Sequence, residues 1–334
     1  MHLRRIAHKG LLALRWLLGD EPPELTEEAR LLASFYAARA SDMNQPDGSV
    51  SHGIVFSMDR ALQLYALLSS YCELALNPAG LTVIYRCSSP EHVLAYEELK
   101  NLMAGQPVRF LQEQAAESFR DALLKLLREL HADKVFFLVD DAVFVESIDM
   151  RHFASEDVCG HVPSLRHGLT LRRSYVVNKP QSLPMFLPAK VGLATSVETF
   201  RWRWSEGALE WGYPLSLDGH LYDRREFLAM AALVPFRSPN TLEAELQKFN
   251  RVFRMRDGIC YRNPVIVNIP CNKVQADFPN RHGDVDPKLL LEKWNSGFMI
   301  DYQRLRGFRP ESTHQEIDLQ FVRRAKPDAR SDEH

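Results

Sequence analysis

Four short apolar runs, at Val50–Ser57, Leu81–Arg86, Val108–Leu111 and Lys134–Val139, constrain this chain more than any other feature. The last, Lys134-Val-Phe-Phe-Leu-Val139, has no alternation at all, the mark of a strand buried on both faces. Between the runs, apolar residues at helical spacing predict helices over Ala61–Ala75, from a Cys87–Glu91 cap to about Leu102, and over Glu113–His131. Strands separated by helices of this length build βαβ units and a mostly parallel sheet with helices on both faces. The expected class is therefore α/β: a Rossmann-like mixed sheet, mostly parallel and flanked by helices.

Beyond residue 150 helical patterns thin out, prolines increase, and Trp202, Trp204 and Trp211 crowd together, so this half completes the sheet and builds a pocket. Before residue 50 the helical pattern Thr26–Ala40 and the polar loop Ser41–Ser49 mark off a helical appendage over 1–49. The main domain spans 50–322, with a nucleotide-binding half at 50–150 and an acceptor half at 151–322, and the charged tail 323–334 is expected to fray.

Composition excludes more than it identifies. With 334 residues, 46% hydrophobic, and 41 Lys and Arg against 43 Asp and Glu, the chain is neither disordered nor a whole-protein nucleic-acid binder. No uncharged run approaches the ~18–20 residues of a membrane span. Five cysteines without CxxC or zinc-ligand spacing read as reduced thiols in a cytoplasmic protein. Residues 1–20 carry Leu3, Ile6, Leu11, Leu14 and Leu18 among Arg4, Arg5, Lys9 and Arg15. Such a basic amphipathic helix suits either peripheral contact with the inner face of the cytoplasmic membrane or packing on its own domain.

Chemistry concentrates where the fourth run stops, at Asp140-Asp141. Ligands of open α/β sheets bind outside the carboxyl ends of the strands. Adjacent carboxylates repel unless a cation neutralises them, so the pair is either a strand-end turn with two solvated aspartates or a site whose oxygen ligands suit Mg²⁺ or Mn²⁺, which would in turn neutralise a diphosphate. Arg60, just past the first run, suits either pairing with that diphosphate or stacking on a base, or is a surface arginine at the start of a helix. Arg166 and Lys273 are further phosphate contacts by residue type. Trp202 and Trp204, two apart, share a strand face, which serves either the core or a sugar-stacking platform. No Gly-x-Gly-x-x-Gly follows the first strand and no P-loop occurs, which removes dinucleotide and P-loop readings.

Four segments carry a resemblance to a known family: Ile54–Leu64, Phe137–Ala142 around Asp140-Asp141, Leu217–Leu228 with its Asp-Gly-His and Arg-Arg-Glu, and Asn240–Leu246 together with Thr313–Glu316. In this order they resemble the GT-A-type nucleotide-sugar glycosyltransferases, particularly bacterial family-2-like inverting enzymes. The resemblance implies a UDP- or GDP-sugar donor, Mn²⁺ or Mg²⁺ as cofactor, and a glycan or lipid-linked acceptor, as in polysaccharide biosynthesis. It assigns Ser57, Asp59, Arg60, Arg86, Asp140, Arg166 and Lys273 to the nucleotide sugar and Asp141 and His314 to the metal. Glu243 is the implied catalytic base, with Asp218 its rival, and Gly219, His220 and Trp204 line the acceptor pocket. The chain departs from the pattern in two places. Val139 and Ala142 flank the aspartates where a third acid often stands, and Leu242-Glu243 replaces Glu-Asp. Two alternatives stand beside this reading. One is a sugar-phosphate nucleotidyltransferase, although Ser57–Ala61 lacks the glycine-rich loop expected of it. The other is a non-catalytic carbohydrate- or membrane-binding module.

Overall fold

The computed structural model describes residues 31–37, 50–114, 116–187, 198–272, 281, 283 and 285–324. The chain divides into two units, Met1–Met43 and Asn44–His334. In the first, residues 31–37 are helical, within the expected Thr26–Ala40 helix. Residues 1–20, with the basic amphipathic pattern, lie outside the described residues. The remainder concerns the second unit.

Its centre is a parallel sheet of β1 (Ser51–Met58), β2 (Gly80–Arg86), β3 (Val108–Gln112) and β4 (Lys134–Val139). Helices α1 (Ala61–Leu74), α2 (Pro90–Leu102) and α3 (Phe119–Glu129) alternate with the strands. Past β4 come β5 (Ala142–Phe144), β6 (His161–Pro163), β7 (Thr199–Arg203) and β8 (Leu221–Asp223). Helices α4 (Arg224–Leu233) and α5 (Pro239–Leu246), strands β9 (Asp257–Tyr261) and β10 (Ile266–Asn268), and helix α6 (Pro287–Asn295) follow.

Strand order in the main sheet is β8-β4-β1-β2-β3, with β8 antiparallel to β4. The chain runs outward from β1 through β2 to β3, then crosses back to β4 on the other side of β1. That reversal opens a crevice above the carboxyl ends of β1 and β4, where ligands of such sheets bind. Phe136, Phe137 and Leu138 of β4 are wholly buried, as a strand covered on both faces requires.

The predicted third helix begins late. Gln112 still belongs to β3, and the Glu113 N–H donates to the Tyr85 carbonyl at 2.9 Å. The helix starts only after Ser118, whose Oγ accepts the Asp121 N–H at 3.1 Å and satisfies an otherwise orphan donor of the first turn. The C-terminal boundary also moves. Phe321–Arg323 pairs with Phe298–Ile300, and Arg324 lies 3.7 Å over the Trp294 ring while reaching Glu98 at 2.7 Å. Residues 323 and 324 thus belong to the domain, and 325–334 lie outside the described residues.

The second half is mixed, as its composition predicts. Strands β7, β9 and β6 form a small sheet, and β10 pairs antiparallel with β5 directly beside the Asp140-Asp141 turn. Trp202, Trp204 and Trp211 are all 0% exposed and pack around His167, with ring centroids 5.3, 5.3 and 4.9 Å from the imidazole. The tryptophan face is therefore core.

Candidate active site

The crevice is built first by the turn after β4. Asp140 is buried, and its carboxylate is saturated with donors: Ser57 Oγ at 2.9 Å, the Met58 N–H at 3.2 Å and Arg60 Nη1 at 2.9 Å. Burial pushes this carboxyl up, Arg60 opposes that and Asp141 adds to it. Asp140 thereby clamps the β1 loop to the β4 turn. Within the loop Asp59 adopts a left-handed φ of 57°. Its Oδ1 accepts the Ser88 N–H at 2.8 Å, which ties the loop to the end of β2. Arg86 is exposed at that rim.

Asp141 is partly exposed. Its Oδ1 accepts Asn268 Nδ2 at 3.0 Å and its Oδ2 faces Arg60 Nη1 at 3.4 Å. Asn268 comes from β10, whose pairing with β5 folds it over the turn. Arg60 is fixed at its other end by Nη2 donating to the Asn272 carbonyl at 2.6 Å.

The second wall is the loop before β8. The Gly219 N–H donates to the Phe137 carbonyl at 2.7 Å, and the Leu165 N–H donates to the Gly219 carbonyl at 2.7 Å. Gly219 has a φ of +70°, and a Cβ there would stand 2.6 Å from Ile266 Cδ1, so only glycine fits this turn. The turn directs Asp218 inward. Asp218 is 4% exposed, neither carboxyl oxygen has a hydrogen-bond partner, and its nearest cation is Arg166 Nη1 at 3.6 Å. Burial pushes its carboxyl up to about 7; Arg166 and, more weakly, the nearby Asn268 side chain oppose the shift, while Asp141 and Glu243 reinforce it.

Glu243, on α5, has both oxygens engaged. Tyr213 Oη donates to Oε1 at 3.0 Å, and the Leu217 N–H and Ser216 Oγ donate to Oε2 at 2.7 and 3.4 Å. Arg166 sits behind the crevice and is buried. It donates to Ser216 Oγ at 2.7 Å, and lies 3.3 Å from His314 Nδ1 and 3.8 Å from Glu210. His314 meets β10 through a bridge to Asn268. Burial, with Arg166 beside it, lowers the His314 imidazole to about 4, so the ring is neutral near pH 7.

The expected residues thus fall into groups. Ser57, Arg60, Asp140 and Asp141 converge at the strand ends, and Asp218, Glu243, Arg166 and His314 gather beside them. Asp59 and Arg86 stand at the rim. Trp204 and His220 are wholly buried behind the site, where the His220 Nδ1–H donates to the Pro214 carbonyl at 3.0 Å. Lys273 lies outside the described residues. Sequence reasoning missed Asn268, Glu210, Tyr96 and Asn272. Asn268 had a signal, being the one polar residue in Val265-Ile-Val-Asn-Ile269. Glu210 is buried, and accepts Ser174 Oγ at 2.8 Å and Thr313 Oγ1 at 3.0 Å. Those partners lie 36 and 103 residues away, which no local pattern reveals.

The residues do not fit the implied Mn²⁺ or Mg²⁺. A divalent cation needs free oxygen or nitrogen lone pairs. Here the place between the carboxylates is already filled by a cation, Arg60 Nη1, at 2.9 Å from Asp140 Oδ1 and 3.4 Å from Asp141 Oδ2, and His314 Nδ1 lies 3.3 Å from the cationic Arg166. Among the described residues no group of three His, Cys, Asp or Glu side chains converges as a metal site.

No family model matches the chain, and no curated protein does. Solved structures with a similar arrangement include a nucleotidyl transferase from Methanothermobacter thermautotroptrophicus, at 12% identity, 65% of this chain, 89% of that chain and a TM-score of 0.35. A 1–349 piece of TarS from S. aureus matches at 15% identity over 55% of each chain, with a TM-score of 0.33. The mannosyltransferase PcManGT from Pyrobaculum calidifontis, solved with GDP-Man and Mn²⁺, matches at 16% identity over 41% of this chain and 45% of its own, with a TM-score of 0.27.

Proposed function

We propose that this chain is a transferase that moves a glycosyl group from a nucleoside-diphosphate sugar to a hydroxyl acceptor. The observation that carries the reading is the Asp218 carboxyl, held near 7 without a hydrogen-bond partner, beside Glu243 and Arg166 at the carboxyl end of a parallel sheet. A general base works best when its pKa lies near the operating pH and its lone pairs are free. Asp218 meets both conditions. Glu243, whose oxygens are taken by Tyr213, Ser216 and Leu217, supports the loop that carries it.

In the reaction the acceptor oxygen bonds to the anomeric carbon from the face opposite the leaving group. The bond from that carbon to the diphosphate oxygen breaks, and the diphosphate leaves with the electron pair. The acceptor proton passes to Asp218, and the transfer inverts configuration. Arg60 and Arg166 supply fixed positive charge around the crevice. The acceptor is a glycan or lipid-linked glycan.

The test is a thermal-shift screen of UDP-, GDP-, CMP- and dTDP-sugars, since a ligand that binds only the folded state raises its stability in proportion to affinity. Product assays on wild type and Asp218→Asn follow. Stabilisation by one donor class, with turnover lost in Asp218→Asn, supports the reading. A screen in which sugar 1-phosphates with nucleoside triphosphates are turned over, and nucleotide sugars are not, replaces it with nucleotidyl transfer.

A further inference from the structure

We infer that Arg60 takes the place of a divalent metal ion between Asp140 and Asp141, so that this crevice works with a built-in organic cation and is indifferent to Mn²⁺ and Mg²⁺. Two adjacent carboxylates at the end of an apolar strand need positive charge, and here it is already present. Arg60 Nη1 lies 2.9 Å from Asp140 Oδ1 and 3.4 Å from Asp141 Oδ2, bridging the pair as a shared metal would.

The arginine is seated by three parts of the chain that do not depend on the carboxylates. Its Nη2 donates to the Asn272 carbonyl at 2.6 Å, and its own backbone N–H donates to Tyr96 Oη at 3.2 Å. The loop that delivers it turns through the left-handed Asp59, which is tied to Ser88 at 2.8 Å. Its side chain is only 11% exposed. The residue is thus held at its backbone by Tyr96 and at its tip by the Asn272 carbonyl, and a metal ion between the carboxylates would have to displace the guanidinium from Asp140, Asp141 and Asn272.

The neighbouring groups are arranged for the same cation and against a second one. Asp140 Oδ2 accepts Ser57 Oγ and the Met58 N–H, and Asp141 Oδ1 accepts Asn268 Nδ2. A metal-binding histidine ordinarily gives its second N–H to an acceptor, which frees the other nitrogen for the ion. At His314, Nδ1 lies 3.3 Å from Arg166 Nη2 and 3.2 Å from Thr313 Oγ1, so this side of the ring is already occupied by polar groups of the chain.

The experiment titrates the full-length protein with Mn²⁺ alone, following the free-ion signal by electron paramagnetic resonance, and compares melting temperatures in EDTA and in Mn²⁺. Wild type is expected to bind no Mn²⁺ in the micromolar range and to melt at the same temperature in both. Arg60→Ala is expected to melt lower in EDTA, to bind one Mn²⁺ and to regain stability with it; Arg60→Ala/Asp141→Asn loses that rescue. Arg60→Lys, which keeps the charge, remains indifferent to the ion. A micromolar Mn²⁺ site in wild type that Asp141→Asn abolishes overturns the inference, even if Arg60→Ala does not fold. The proposed transferase activity enters only as a separate readout. Donor turnover equal in EDTA and Mn²⁺ agrees with the inference. Absence of turnover in both counts against the transferase reading and leaves the metal titration to decide this one.

Discussion

The Glu243 carboxylate accepts the backbone N–H of Leu217 at 2.7 Å, across the gap between α5 and the loop before β8. Leu217 is the residue before Asp218, so this bond, with those from Ser216 and Tyr213, sets the path of the chain that carries the unpartnered aspartate. Two carboxylates that look alike in sequence therefore have different duties: one holds the loop, the other is held by it.

Glu243→Ala should lower stability by about 1–3 kcal/mol, because it leaves a backbone N–H and two hydroxyls in a partly buried wall without their acceptor. Glu243→Gln, which keeps one acceptor oxygen, should cost less. Urea unfolding of the two variants measures the difference. Equal stability of Glu243→Ala and wild type would remove the positioning role.

Asp218 gives a pH signature of definite sign. Its carboxyl is ordinary in the unfolded chain and raised to about 7 in the fold, so the native state holds the extra proton between about pH 4 and 7. Stability contributed by this group is fully present below that window and declines as pH rises through it. Asp218→Asn should flatten the decline, which thermal melts from pH 4 to 8 will reveal. If Asp218 is the base, wild-type kcat/KM rises with pH through an apparent pKa near 7, since only the ionised form accepts a proton. An activity profile that keeps this limb in Asp218→Asn would assign it to another group.

Gly219→Ala should destabilise the protein by about 1–3 kcal/mol. The substitution forces a Cβ into a left-handed turn and against Ile266 Cδ1, 2.6 Å away. Because the same turn aims Asp218, the raised carboxyl should return toward the ordinary range. The pH dependence of melting should then resemble that of Asp218→Asn.

Trp204→Ala should cost about 3–5 kcal/mol, as expected of a fully buried aromatic, and Trp204→Phe much less. Neither should alter sugar-donor affinity at a temperature where the variant is folded, because Trp204 faces Trp202 and His220 in the core. A selective loss of acceptor binding in Trp204→Phe would restore the stacking-platform reading.

The parallel half of the fold was legible in the amino-acid sequence because its signal is local. Buried β4 carries no alternation, and Ser89, within the Cys87–Glu91 cap, announces the helix that follows it, whereas the cap at Ser118 was passed over for a start at Glu113. Asp140-Asp141 at the end of an apolar run likewise announced a charged crevice, since a chain leaving a buried strand exposes polar groups first at its carboxyl end. What those carboxylates do is not local. Whether the pair binds a metal or an arginine depends on Asn272 and Asn268 coming within 2.6 and 3.0 Å of Arg60 and Asp141 from more than a hundred residues away. Which of Asp218 and Glu243 keeps free lone pairs depends on donors from Tyr213 and Leu217. The sequence determined which groups are charged and where the strands end; tertiary packing decided which charges neutralise one another, because pairing and desolvation act over a few ångströms of space and not along the chain.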